Sequence, residues 1–234
     1  MADIKLSKRM QSVVSMVEEK SVVDIGCDHA FVSIYLLTTG KADKVIAMDV
    51  KKGPIDIAKS NVSLYGCGDK IQVRLSDGFD KLEPGETECA IIAGMGGALI
   101  VDILKRGQIH TQNGIALILQ PQSECWKVRE YLYSIGYKIV REDMLVEDEK
   151  YYTIIKAVPF KGSIPPYSEA EIEFGRELLH KKNHTLKDFL LETKIKNQEL
   201  MIKLEHIHTD KSKERIQQII KDNKLIEEAL AEFK

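Results

Sequence analysis

Three short apolar runs in this chain end on acidic residues. VVDIGCDHAF (22–31) carries Asp24 and Asp28 on either side of Gly26, KVIAMDV (44–50) closes with Asp49, and KIQVRLSDG (70–78) closes with Asp77 and Gly78. A pyrophosphate-binding turn reads G-x-G-x-x-G and places the anion at a helix N-terminus, where bare N–H groups favour negative charge. Here Asp28 and Ala30 stand where further glycines would be expected. Two carboxylates beside the turn repel a pyrophosphate and attract a cation. Asp49 lies about 20 residues beyond the glycine turn, the spacing at which an acidic side chain accepts the hydroxyls of a ribose. Asp77 is placed to accept the exocyclic amine of an adenine, although an Asp at a strand end is also a common turn former. Gly94-Met95-Gly96-Gly97 leaves bare backbone at a pocket floor, and Gln120 and Gln122 present amides after the fifth run.

A nucleoside carrying an ammonium and a sulfonium satisfies this set, and S-adenosylmethionine is such a ligand. A nicotinamide-dependent oxidoreductase shares the ribose acid but calls for the glycine-rich turn that this chain lacks. A non-catalytic RNA-binding or scaffold protein with a vestigial cofactor site stays open beside it.

The elements needed to bring these residues together are legible. Seven β-rich runs, SVVDIG, KVIAMDV, KIQVRLSDG, CAIIAGMGG, GIALILQPQ, YKIVREDML and YYTIIKAV, are mostly continuous in apolar character, as strands covered on both faces are. Between them FVSIYLLTTG, KGPIDIAKSNVSLYG and SECWKVREYLYSIG carry helical spacing and close on Gly. The alternation predicts an α/β doubly wound domain, with ligands at the carboxyl ends of the strands. The last two runs, joined by VEDEK, are expected to be antiparallel neighbours. Trp126, at the start of the helix after the fifth run, reads as packing.

The expected organisation is a main domain over 1–160, a Pro/Gly/Ser-rich linker over 161–167, and a helical segment over 168–234. The last segment has no Pro, a single Gly at 175 and apolar residues recurring at three and four, which predicts an antiparallel hairpin of coiled-coil character. The polar stretch HTDKSKE (208–214) is its expected turn, with Ser212 or Asp210 as N-cap. The four cysteines are scattered, so free thiols and no metal are expected. Neither a signal-peptide pattern nor an apolar run of the ~20 residues that cross a bilayer is present, so a cytoplasmic protein without a membrane partner is expected. The formal net charge of −2 leaves any nucleic acid to a local basic patch.

LSKRM (6–10), DIGCDHAF (24–31), KGP (52–54), SDG (76–78), AGMGG (93–97) and LILQPQ (117–122), followed by the helical hairpin, resemble the bacterial tRNA (adenine-N1)-methyltransferases of the TrmK type, within the class I S-adenosylmethionine-dependent methyltransferases. The resemblance covers essentially the whole chain. It implies a Rossmann-like fold with a mostly parallel seven-stranded sheet, and methyl transfer to N1 of adenine 22 in the tRNA D arm. It further implies that Gly26, Asp49, Asp77 and Gly78 hold the cofactor and that Asp28 and His29 line its methionine end, to which the reading of the strand ends adds Asp24, Gly94 and Met95. On that reading Asp28 stabilises the charge born on the methylated ring, and Gln120 accepts from its amine. His29, Gln120, Gln122, Tyr151 and Tyr152 face the acceptor base. Lys5, Lys8 and Arg9 on an N-terminal helix, Lys51 and Lys52 at the rim, and Lys181, Lys182, Lys187, Lys194 and Lys196 on the hairpin grip tRNA phosphates, with the protein acting as a monomer. A methyltransferase with another RNA, a protein or a small molecule as acceptor is the alternative within the same fold.

Overall fold

The computed structural model describes residues 4–207 and 209–234. These divide into two units, Met1–Ile164 and Pro165–Lys234. The first is built on a seven-stranded sheet in the order β3-β2-β1-β4-β5-β7-β6. The strands are β1 (Ser21–Ile25), β2 (Lys44–Asp49), β3 (Ile71–Leu75), β4 (Cys89–Met95), β5 (Ala116–Pro121), β6 (Tyr137–Glu147) and β7 (Lys150–Pro159). The first five are parallel, and β7 runs antiparallel to both β5 and β6. All seven coincide with the apolar runs of the sequence.

The continuous apolar character of the central strands follows from burial on both faces. Val22, Val45, Ala47, Cys89, Ile91 and Ile118 point into one layer, which they share with α1 (Lys8–Ser15), α2 (Phe31–Thr38) and α3 (Lys52–Leu64). Val23, Ile46, Met48, Ala90, Ile92, Leu117 and Leu119 point into the opposite layer, against α4 (Gly97–Arg106) and α6 (Cys125–Ser134). Each wholly buried aliphatic side chain contributes about 1.5–3 kcal/mol. The terminal glycines read from the sequence close their helices in left-handed conformations, Gly40 at φ 70°, Gly66 at φ 66° and Gly136 at φ 75°. The β6–β7 turn uses Asp148 and Glu149 at φ 47° and 59°, values usually left to Asn-Gly.

Three details depart from the sequence reading. Ser7 caps α1 by accepting from the Met10 amide, so the helix begins at Lys8 and Lys5 lies ahead of it. No helix joins β3 to β4, whereas α4 and the short α5 (Gln108–Gln112) lie between β4 and β5. Trp126 is not packed away. It is over a third exposed, with the Lys127 ammonium 5.4 Å from its ring centroid.

In the second unit α7 (Glu169–Phe174) and α8 (Arg176–His180) precede the long α9 (His184–Glu205) and α10 (Asp210–Ala231). Ser168 and Glu171 form a capping box at the start of α7. The long helices pack together, with Asn197 donating to Asn223 at 2.8 Å and Lys194 paired with Glu227 at 2.8 Å. Thr209, not Asp210 or Ser212, is the N-cap of α10: its hydroxyl accepts from the Ser212 amide at 3.2 Å, and Ser212 sits three residues into the turn. His208, within the expected turn, lies outside the described residues.

Candidate active site

The carboxyl ends of β1, β2, β3 and β4 open onto two cavities. The smaller, of about 390 Å³, runs from Asp49 and Lys51 past Gly26 and Gly94 to Ser76, Asp77 and Gly78, with Leu99 and Ile103 as its apolar wall. The larger, of about 540 Å³, is bounded by Asp24, Asp28, His29, Phe31, Arg9, Met10, Tyr65 and Gln122. Gly26, Asp28, Ala93 and Gly94 line both, so the two chambers adjoin there.

The turn after β1 is shaped by three left-handed residues, Gly26 (φ 78°), Asp28 (φ 49°) and Ala30 (φ 60°). For Asp28 and Ala30 this backbone is unfavourable, and surrounding bonds hold it in place. The Gly26 and Cys27 amides donate to the Met48 carbonyl at 2.8 and 2.9 Å, and the Asp28 amide reaches Asp49 Oδ2 at 3.2 Å. Asn61, from α3, donates to the His29 carbonyl at 2.9 Å, a support that sequence reading missed. A side chain at Gly26 would strike the Met95 methyl, 2.3 Å from an added Cβ. Asp49 Oδ1 accepts from the Lys51 amide at 2.9 Å, which fixes the carboxylate toward the smaller cavity.

Asp24 is 5% exposed and accepts from the Ser33 hydroxyl at 2.7 Å. Burial raises its pKa from the usual 3.8 to about 6, opposed by the Ser33 hydrogen bond and aided by the nearby Asp49 charge. Burial, with Asp24, Asp49 and Asp28 around it, pushes the Cys27 thiol far up, so it stays protonated and is no nucleophile. Asp28 is exposed, with His29 Nε2 3.5 Å from its Oδ1. The His29 ring stands edge-on to Phe31 at 6.2 Å.

Gly94 is the extra residue of a bulge where β4 slips against β5, at φ 77°. A bulge frees a backbone N–H, and Gln120 satisfies it: its Oε1 accepts from the Gly94 amide at 3.1 Å and from Arg9 Nη1 at 2.6 Å. Gln120 therefore departs from its expected place at the rim. It is wholly buried beneath the cavity floor, whereas Gln122 lines the larger cavity. Arg9 also stands over the Tyr152 ring, 5.2 Å from its centroid, so its guanidinium is fixed in the site and does not reach freely into solvent. Tyr151 and Tyr152 are half-buried on β7 just after the hairpin turn. Lys5 lines the larger cavity, Lys8 is exposed, and Lys51 and Lys52 are exposed at the start of α3. The turn after β4 packs against the one after β5: the Gly97 amide donates to the Ser123 carbonyl at 2.9 Å, and an added Cβ at Gly97 would lie 2.4 Å from the Glu124 carbonyl oxygen.

Asp77 is engaged by Arg106, whose Nη2 and Nη1 lie 3.0 Å from its Oδ1 and Oδ2. Sequence reading gave no signal for Arg106. Lys181 and Lys182 belong to the second unit, at the turn between α8 and α9; Lys181 is paired with Glu177 at 3.0 Å. Lys187 is exposed, and Lys196 lies 3.4 Å from Glu192.

The carboxylates and glycines of the smaller cavity could hold a nucleoside, with Asp49 and Asp77 lining it beside the side-chain-free Gly26 and Gly94. Comparison with known proteins agrees with this chemistry. Residues 6–155 match the family described as Methyltransferase domain. A Bacillus subtilis tRNA (adenine(22)-N(1))-methyltransferase is 39% identical over 158 residues, a stretch that is 67% of this chain and 66% of that relative. The crystal structure of the B. subtilis m1A22 tRNA methyltransferase TrmK superposes with a TM-score of 0.86 at 31% identity, over 97% of this chain and 99% of that one. The chain belongs to the TrmK-type class I methyltransferases. A Streptococcus pneumoniae member, solved in complex with S-adenosyl-L-methionine, matches this methyltransferase with a TM-score of 0.82 at 32% identity, over 97% of this chain and 100% of that one. Among the described residues of the methyltransferase, no cluster of three or more His, Cys, Asp or Glu side chains could hold a metal, and no helix is long and apolar enough to cross a membrane.

Proposed function

We propose that this protein is an S-adenosylmethionine-dependent tRNA methyltransferase that methylates N1 of adenine 22 in the tRNA D arm. The observation that carries the reading is the pair of adjoining cavities that share Gly26, Asp28, Ala93 and Gly94: the smaller suits the nucleoside of a cofactor, and the larger, bounded by Asp24, Asp28 and His29, has room for that cofactor's methionine end beside an acceptor base. The acceptor follows from the B. subtilis relative, whose name specifies adenine 22 and N1.

When bound, S-adenosylmethionine supplies a methyl group activated by its sulfonium. Asp49 accepts the ribose hydroxyls, Asp77 receives the adenine amine, and Gly78 and Met95 line the nucleoside chamber. The ionised Asp24, Asp28 and the adjoining His29 surround the cationic methionine end. The acceptor N1 already exposes a lone pair, so the chain needs no general base; its task is orientation and charge complementarity. Asp28, exposed where the chambers meet, faces the positive charge that appears on the methylated ring. Gln120 is a positioning residue: it holds the Gly94 bulge and clamps Arg9 over Tyr152. N1 lies on the pairing edge of adenine, so the base must be unpaired or extruded, and stacking on Tyr151, or on the face of Tyr152 opposite Arg9, would offset part of that cost. Gln122 contributes an amide to the acceptor chamber. Lys5, Lys8, Lys51 and Lys52 near the chambers, with Lys181, Lys182, Lys187, Lys194 and Lys196 on the hairpin, supply phosphate contacts. The same reading places a monomeric enzyme in the cytoplasm with its tRNA.

The test is transfer of label from S-adenosylmethionine into an unmodified tRNA transcript, beside the same transcript with adenine 22 changed to guanine. Label in the first and none in the second supports the reading. Equal label in both removes adenine 22 as the acceptor, and label in neither removes tRNA.

A further inference from the structure

Arg106 occupies the last residue of α4, and its guanidinium meets both oxygens of Asp77 at 3.0 Å while its Nε lies 3.1 Å from Asp102 Oδ2. Exposed ion pairs usually add little to stability. This one differs in form, being a two-pronged fork held from behind by a second carboxylate on the same helix, and in place, because Asp77 lines the cofactor cavity. A carboxylate offers about four lone-pair directions, so a guanidinium that takes one on each oxygen leaves the others open. The fork thus fixes the plane and rotation of the Asp77 carboxyl without exhausting its capacity to accept.

We propose that Arg106 is a positioning residue that presents the Asp77 carboxylate to the exocyclic amine of the cofactor's adenine, and so sets the preference for adenine over hypoxanthine. The inference rests on the reading of the Asp77 cavity as the adenosine end of the cofactor site. Asp102 orients Arg106, Arg106 orients Asp77, and Asp77 reads the base. A lysine at 106 keeps the charge but loses the planar fork, and with it the control over carboxylate rotation.

The decisive measurement is calorimetric binding of S-adenosylhomocysteine and of S-inosylhomocysteine, which carries a carbonyl in place of the amine, to the full chain as wild type, Arg106→Ala and Arg106→Lys. Arg106→Ala is expected to weaken S-adenosylhomocysteine about tenfold and the inosine compound less than about twofold, a tenfold change being 1.4 kcal/mol. Arg106→Lys should restore little of the lost selectivity. Steady-state kinetics should show the cofactor KM raised and kcat at saturating cofactor kept. Unchanged or tighter adenosine binding in Arg106→Ala would overturn the proposal, as would equal weakening of both compounds, which marks a general loosening of α4. Failure of the wild type to bind either compound would instead overturn the cofactor-site reading itself and the proposal with it.

Discussion

Asp24 is a single carboxyl whose charge opposes folding and which, on the proposed reading, serves binding. Its pKa is about 6 in the folded chain against the usual 3.8, so the folded state holds this proton between those values while the unfolded state has lost it. By linkage, its stabilising contribution is complete below pH 3.8, declines as pH rises through 6 and is gone above it, a difference on the order of 3 kcal/mol. Asp24→Asn can keep the Ser33 hydrogen bond without the charge. In chemical denaturation at pH 7 without ligand, this variant is expected to be more stable than wild type, and the gap should close toward pH 4. Its affinity for S-adenosylmethionine should fall at least about tenfold, because the cationic ligand loses its buried counter-charge. Wild-type affinity should likewise decline as pH drops through 6. The sequence displayed Asp24, Asp28, Asp49 and Asp77 because each stands where an apolar run ends. It hid Ser33, Asn61 and Arg106, because Ser33 is one small residue in an apolar helix and an amide or a guanidinium on an amphipathic helix looks like any solvated face.

At the level of elements, the bulge at Gly94 joins β4, β5 and α1 through one side chain. Removing the Gln120 amide strands the Gly94 N–H and frees Arg9. Gln120→Leu should therefore lower unfolding free energy by about 1–3 kcal/mol in urea titration. Gln120→Glu keeps both acceptor bonds but loses the Nε2 donation to the Pro121 carbonyl at 3.1 Å and buries a carboxylate beside Arg9, so it should fall between wild type and Gln120→Leu in stability. Methyl transfer should follow the same order, as Arg9 and the floor of the chamber move together. The AGMGG and LILQPQ motifs were visible, yet the register slip was not, because β-pairing depends on the partner strand as much as on the strand itself. The strands themselves were easy to read: burial on both faces demands unbroken apolar runs, and the helices between them end on glycines that must turn left-handed. The departure of Trp126 from its expected packing has a plain cause. It falls in the first turn of α6 on the side shared with exposed Glu130 and Tyr133, while Val128 and Leu132 take the core.

For the molecule as a whole, a formal net charge of −2 means that no global field draws in a polyanion. Affinity for tRNA must come from local lysines, and several of those on the second unit already have acidic neighbours, Lys181 with Glu177, Lys194 with Glu227 and Lys196 with Glu192. Lys182 and Lys187, both exposed, are the better candidates. Reversing each to Glu should weaken tRNA binding across sequences and flatten the slope of log affinity against log salt by about 0.7–0.9 for each phosphate no longer neutralised. An unchanged slope would remove the hairpin from the tRNA footprint. The placement of α4 carries a final consequence. Its last residue grips Asp77, and its Leu99 and Ile103 wall the same cavity. One rigid rod thus carries both the apolar wall and the fork at Asp77, and on the proposed reading both meet the adenosine that fresh and spent cofactor share. The spent cofactor differs by the sulfonium charge and its methyl, which lie outside this grip, so it should still compete with fresh S-adenosylmethionine, and turnover should slow as it accumulates unless another activity clears it.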